Sequence, residues 1–108
     1  MNEFNVTFEL FKKVFNKMTG EPEIEVYFID NENEYMIIKY DGYISFQRCG
    51  IKDGSGEIKF KSLDELYESR TVDGIFLKED WYKIRDIVIN EALSFKDDLD
   101  IILERYGK

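Results

Sequence analysis

The sequence predicts a single α+β domain over residues 1–108, with a four-stranded antiparallel meander, one N-terminal helix and two or three C-terminal helices. Apolar residues recur at helical spacing near the N-terminus, alternate with polar residues in the following segments, and return to helical spacing in the last third. A length of 108 residues suits one core, and 44% hydrophobic residues supply the material for it. We therefore expect the element order α-β-β-β-β-α-α-α.

The first helix is predicted from about Glu3 to Met18. Its stripe of apolar residues advances in steps of four, three, four and three, and consists of Phe4, Phe8, Phe11, Phe15 and Met18. Gly20 and Pro22 follow, and such a pair typically ends a helix. The stripe would either pack on the sheet or pair with a second copy of the chain. We favour packing on the sheet.

Four strands are predicted next, because apolar and polar residues alternate with a period of two. Their ranges are 23–28, 35–40, 43–48 and 57–61. A polar turn at 30–33 joins the first pair, and Asp41-Gly42 predicts a type I′ hairpin turn between the second and third strands. The connections are short enough for an antiparallel meander.

Helical spacing returns after the sheet. Residues 62–65 have the capping-box pattern ahead of a short helix. A second helix is predicted over about 78–93, but Ile87 and Ile89 widen its apolar stripe, so this segment is either deeply buried or partly a strand. Ser94 predicts the cap of a last helix. The inner face of that helix would hold Phe95, Leu99, Ile102 and Tyr106.

Composition restricts the classes of function. The chain has 23 acidic and 15 basic residues, a net charge of −8 that is opposite in sign to what a nucleic-acid-binding surface needs. No apolar run exceeds four residues, which predicts no membrane-spanning segment. Cys49 is the single cysteine, and no leader pattern precedes the first helix. We expect a cytoplasmic protein that binds neither nucleic acid nor membranes.

No motif predicts catalysis, a cofactor or a metal. Histidine is absent, so Cys49 lacks its usual general base. The loop at 50–56 does not have the spacing of a phosphate-binding loop and precedes a strand. Residues 30–34 supply only the first half of a calcium loop, with Tyr35 and Asp41 at the positions that need glycine and glutamate. We therefore predict no enzyme, and interpret the other carboxylates as solvated.

The most distinctive feature is an acidic hairpin that carries tyrosines. Residues 21–34 contain six acids and no base. The alternation places Glu23 and Glu25 outward with Tyr27, and we expect Tyr35 to join them. Such a surface favours a basic protein partner, because its charge steers association and tyrosines supply rigid contact area. The candidate partner-binding residues are Glu21, Glu23, Glu25, Tyr27, Glu32, Glu34 and Tyr35.

Three functions are compatible with these features. The first is a small acidic, non-catalytic inhibitor of the immunity, antitoxin or host-defence-blocking kind, which covers a basic surface of its partner. The second is a structural or adaptor domain that forms a homodimer through the first helix, with the acidic hairpin as a solvated face. The third is an enzyme of unknown type. The residue usage, rich in Ile, Lys, Glu and Asn with one Ala, is typical of an AT-rich bacterial or phage genome.

Overall fold

A computed structural model describes residues 4–51 and 53–107, which form one six-stranded antiparallel sheet and four α-helices. The strands are β1 Glu23–Phe28, β2 Asn31–Tyr40, β3 Tyr43–Arg48, β4 Glu57–Phe60, β5 Ile84–Ile89 and β6 Leu93–Ser94. The helices are α1 Phe8–Lys17, α2 Leu63–Tyr67, α3 Leu77–Asp80 and α4 Leu99–Tyr106. The sheet order is β4-β3-β2-β1-β5-β6, which confirms the α+β class with an antiparallel sheet.

The predicted four-stranded sheet and the order α-β-β-β-β-α-α-α are wrong, because the segment predicted as a helix over 78–93 contains β5. This strand lies antiparallel to β1, with Ile87 opposite Val26 and Ile89 opposite Ile24. The apolar residues of β5 fit a helical period as well as a strand period. Pairing with β1 and a β-branched composition favour the strand.

The last helix also begins later than predicted. Ser94 pairs with Val88 in β6, and its hydroxyl also accepts a hydrogen bond from the Asp97 amide at 3.1 Å, as a cap would, but this turn is not part of α4, which starts at Leu99. The Ser94 hydroxyl donates a hydrogen bond to the Asp86 carboxylate at 2.5 Å. Phe95, expected on the helix, is fully buried in the chain that connects β6 to α4. Residues 95–98, the predicted first helical turn, form a single hydrogen-bonded turn in which the Asp98 amide donates to the Ser94 carbonyl at 2.7 Å.

Helix α1 packs on the sheet as predicted. It begins at Phe8, where the Thr7 side chain accepts a hydrogen bond from the Leu10 amide at 3.1 Å. The predicted start, Glu3, lies outside the described residues, and the predicted helical conformation of residues 4–7 is wrong, because the Thr7 cap sets the first helical residue at Phe8. The apolar stripe is buried within the chain, which removes the surface needed for a homodimer through this helix. Its buried members are Phe4, Phe8, Phe11, Phe15 and Met18.

The hairpin predicted at Asp41-Gly42 is confirmed, with Tyr40 opposite Tyr43. The predicted turn type is wrong. Gly42 has a φ of 88°, whereas Asp41 is not among the residues with positive φ, and a type I′ turn needs positive φ at both positions. The preceding connection is shorter than predicted, because Phe28 already lies opposite Asn31.

The helices cover one face of the sheet. Leu66 of α2, Leu77 of α3 and Ile102 of α4 share a single hydrophobic core with α1 and with the inward residues of the strands. Ile38, which is buried but points to the other side of β2, is not part of this core. We call the uncovered side the open face. In the described part of the chain, no helix is long and apolar enough to cross a membrane.

Candidate functional site

The open face is assembled from side chains of five strands, and the strand register places them in rows. One row crosses β5, β1, β2, β3 and β4, and contains Val88, Glu25, Met36, Gln47 and Glu57. The neighbouring row contains Glu23, Ile38, Ser45 and Lys59. At one end, the rings of Tyr40 and Tyr43 stack with their centroids 4.8 Å apart. The face therefore combines apolar and aromatic side chains with carboxylates.

Carboxylates outnumber cations on this face. The acids that the register assigns to it are Glu23, Glu25, Glu34, Glu57 and Asp86, and the bases are Lys59 and Arg85. The ion pairs found among residues 4–51 and 53–107 lie elsewhere and use Asp30, Asp64, Asp73 and Asp80. The acids of the open face thus have no compensating ion pair within the described chain.

Glu25 lies at the centre of the open face and is only 8% exposed. Its cross-strand neighbours are Met36 on one side and Val88 on the other. The Tyr27 hydroxyl donates a hydrogen bond to its carboxylate at 2.5 Å. A desolvated carboxylate with one hydroxyl donor gains from an additional cationic partner.

The negative field of this cluster acts on neighbouring groups. The hydrogen bond to Glu25, followed by burial, raises the pKa of the Tyr27 phenol above its ordinary value. Burial raises the pKa of the Cys49 thiol, and the charges of Glu34, Glu25 and Glu23 raise it further. The thiolate of Cys49 is therefore disfavoured, which weighs against a role as a nucleophile.

The structure separates the predicted partner-binding residues into three groups. Glu23, Tyr27 and Glu34 lie on the open face, and Glu25 lies there too but is nearly buried. Glu21 is exposed just before β1, and Glu32 is exposed near the start of β2. The predicted outward position of Tyr35 is wrong.

Tyr35 lies on the core side of β2 and is fully buried. Its ring stacks on Phe46, with centroids 5.6 Å apart, and its hydroxyl donates to the Asp73 carboxylate at 2.6 Å. Arg48 forms an ion pair with the same carboxylate at 3.2 Å. These contacts make Tyr35 and Asp73 a structural bridge between the sheet and the segment that follows α2.

Sequence reasoning missed the contributions of β3 and β5 to the open face. Tyr43 of β3, which stacks on Tyr40 of β2, and Arg85 of β5 join it only because the sheet order places β3 and β5 near β1. The Arg85 guanidinium lies over the Tyr27 ring, 5.3 Å from its centroid. The two-residue turn at Asp41-Gly42 makes Tyr40 and Tyr43 cross-strand partners on one face. No local signal places β5 next to β1.

A polar cleft of about 210 Å³ lies at the β1–β2 turn and is separate from the open face. It is lined in part by Asp30, Asp73, Asp80 and Lys83. Lys83 already pairs with Asp30 at 3.4 Å and with Asp80 at 3.7 Å. In the described residues, no group of three or more Cys, Asp or Glu side chains is arranged to hold a metal ion.

The fold and the open face together define an α+β domain whose antiparallel sheet is covered by helices on one side only. No protein-family model, curated protein or solved structure gives a significant match to this chain.

Proposed function

We propose that this chain is a small, non-catalytic protein-binding module that uses the open face to cover a basic surface of a partner protein. The observation that carries the proposal is the carboxylate cluster of Glu23, Glu25 and Glu34, which forms no ion pair within residues 4–51 and 53–107 and is set among apolar and tyrosine side chains. Inhibition of a toxin or nuclease through its basic site, as in immunity proteins and antitoxins, is the form of this function that we favour.

The arrangement suits a protein partner better than a small ligand. Tyr27, Tyr40 and Tyr43 are partly exposed aromatic side chains, and Met36 and Val88 lie half-buried on either side of Glu25. Rigid aromatic area around a desolvated charge is typical of the energetic centre of an interface. The exposed carboxylates at the margin, Glu23 and Glu34, would accelerate association with a basic surface.

The charge also selects between partners. Two copies of the open face would bring like carboxylates together, and such a juxtaposition is unfavourable. A basic surface would instead attract the carboxylates of the open face. It would also supply the cationic partner that Glu25 does not have within the described chain. The face is therefore proposed to bind a different protein.

The test compares the wild-type chain with a Glu23→Lys/Glu34→Lys variant and with a Glu68→Lys/Glu104→Lys control. Both double variants change the net charge equally, but the control positions are exposed sites near the ends of α2 and α4, on the helix side. Each protein is used as bait in a lysate at low and high salt, and captured proteins are purified for direct binding and activity measurements.

The proposal predicts a basic partner that binds wild type and the control alike. Its binding to the open-face variant should be at least about tenfold weaker, and added salt should weaken the wild-type complex. Loss of the partner's own activity on binding would support inhibition. Equal weakening by both double variants would show that only net charge matters, and would overturn the proposed face.

A further inference from the structure

The outer edge of β4 presents unpaired backbone groups in a defined pattern. The Arg48 amide donates to the Gly56 carbonyl at 2.8 Å, and these two residues lie directly opposite each other. In an antiparallel ladder such hydrogen-bonded pairs alternate with pairs whose backbone groups point away. Ile58 and Phe60 therefore bond to β3, whereas the backbone groups of Glu57 and Lys59 point to the outer edge. The Glu57 amide donates to the Gly54 carbonyl at 3.3 Å, and the Glu57 carbonyl and both Lys59 groups have no backbone partner among the described residues.

This edge also exposes an apolar side chain. β4 is the terminal strand of the sheet, and Ile58 is 38% exposed on its helix side. An edge strand with unpaired backbone groups is a template for a further strand. A lysine such as Lys59 normally opposes such pairing, unless a carboxylate lies opposite it.

The alternation of the backbone groups limits how two β4 strands can pair around a twofold axis. The backbone groups that point outward belong to the odd-numbered residues of β4, and both residues of a hydrogen-bonded pair must be of this kind. The twofold axis can therefore pass through residue 57, 58 or 59. An axis at residue 57 places two copies of Glu57 opposite each other, and an axis at residue 59 does the same for Lys59. An axis at Ile58 instead places Glu57 opposite Lys59 twice, and brings the two Ile58 side chains together.

We propose that the chain forms a symmetric homodimer through antiparallel pairing of β4 with β4 of a second copy, with the twofold axis at Ile58. In the two Glu57–Lys59 pairs, the Lys59 amide donates to the Glu57 carbonyl of the other copy, and the Glu57 amide donates to the Lys59 carbonyl in place of its 3.3 Å bond to the Gly54 carbonyl. Charge complementarity on the open-face side and Ile58 contact on the helix side fix the register. The two sheets become one continuous sheet of twelve strands, twice the six of one copy.

The dimer does not rest on the proposed function. It does have a consequence for the open face, because continuous pairing places two open faces side by side on the same side of the joined sheet. A partner with two basic surfaces, or a dimeric partner, would then be bound with increased avidity.

A charge exchange tests the register. Sedimentation velocity up to about 1 mM protein should show a reversible dimer for the wild-type chain. Glu57→Lys and Lys59→Glu should each weaken association at least about tenfold, because each creates two like-charged pairs. The Glu57→Lys/Lys59→Glu double variant restores opposite charges and should recover the dimer. A wild-type chain that stays monomeric, or a double variant no better than the single variants, would overturn the proposal.

A disulfide gives a second readout, which does not depend on Glu57 and its hydrogen bond from the Ser45 hydroxyl. In the proposed register the two residue-58 Cα atoms lie about 4.5 Å apart, within the range for a disulfide. Ile58→Cys in a Cys49→Ser background should therefore form a covalent dimer rapidly under mild oxidation. Ile29→Cys, at a 53% exposed position away from this edge, is the control. Equal crosslinking rates for the two cysteines would contradict the register.

Discussion

The Tyr27 hydroxyl donates a hydrogen bond to the Glu25 carboxylate at 2.5 Å, two residues away on the same face of β1. The bond folds the Tyr27 ring over the centre of the open face, where Arg85 lies against it. The pair thus fixes the position of an acidic group and an aromatic ring that the proposed interface would use together. The hydrogen bond also affects how the free energy of unfolding depends on pH.

Tyr27 is expected to make the folded state less stable at high pH. The bond to Glu25 raises the pKa of Tyr27 in the folded state, whereas the unfolded chain ionises near the ordinary tyrosine value. Above about pH 10 the folded state therefore holds more protons than the unfolded state, and the free energy of unfolding falls as pH rises. Tyr27→Phe should reduce this fall, as measured by urea unfolding between about pH 8 and pH 11.

Tyr82→Phe is the control for this measurement, because Tyr82 is 70% exposed and lies outside the open face. That variant should keep the wild-type slope of stability against pH. A Tyr27→Phe protein with an unchanged slope would contradict the role given to the hydrogen bond. The slope need not vanish, since burial also raises the pKa values of Tyr35 and Tyr40.

The local parts of the fold follow from the sequence, and the non-local parts do not. Strands β1, β3 and β4 lie close to their predicted ranges, because each has a clear period and the connections are short. Helix α1 and strand β2 end near the predicted residue, but α1 begins later than predicted and β2 begins four residues earlier. Residues 78–93 were predicted as a helix with a partial strand as the alternative, and β5 shows that the alternative is correct. The two could not be separated by sequence because Ile84, Ile87 and Val88 satisfy two periods at once. Only the pairing of β5 with β1, about sixty residues earlier, decides between them.

The same difference between local and non-local information explains why only some residues of the open face were predicted correctly. Glu23, Glu25 and Tyr27 share a face because alternation within one strand is local. The face taken by Tyr35 depends on the number of residues in the turn, since one added residue reverses every side chain that follows. Phe28 lies opposite Asn31, so the turn has two residues, and the register then shifts by two residues between Phe28 and Val26, which brings Tyr35 rather than Asn33 opposite the buried Val26.

Lys39 is expected to stabilise the end of α1. Its ammonium group donates to the carbonyl oxygens of Phe15 and Met18, each at 2.9 Å. Lys39→Met keeps most of the apolar stem but removes both bonds, and should cost about 1–2 kcal/mol in urea unfolding. Lys13→Met, at an exposed site on α1, should change stability by less than about 0.5 kcal/mol. Equal effects would contradict this capping role.

The bridge between Tyr35 and Asp73 should be energetically coupled. The hydroxyl-to-carboxylate bond is 2.6 Å long, and Asp73 is held at a φ of 59°. A double-mutant cycle with Tyr35→Phe and Asp73→Asn should give a coupling free energy of about 1 kcal/mol, because the bond is assisted by charge. Asparagine also tolerates positive φ, so the substitution tests the bond rather than the backbone. Additive effects would show that the two side chains act independently.

The acidic open face should reduce the stability of the isolated chain, because its carboxylates repel one another without nearby ion pairs. Glu34 is exposed, and its charge raises the pKa values of both Tyr27 and Cys49, so its field reaches the centre of the face. Glu34→Lys should therefore raise the free energy of unfolding by about 0.5 kcal/mol at low salt. The gain should shrink at about 0.5 M salt, where such interactions are screened. Glu68→Lys reverses the same charge on the helix side, and a gain as large there would show that the repulsion belongs to the whole acidic chain rather than to the open face.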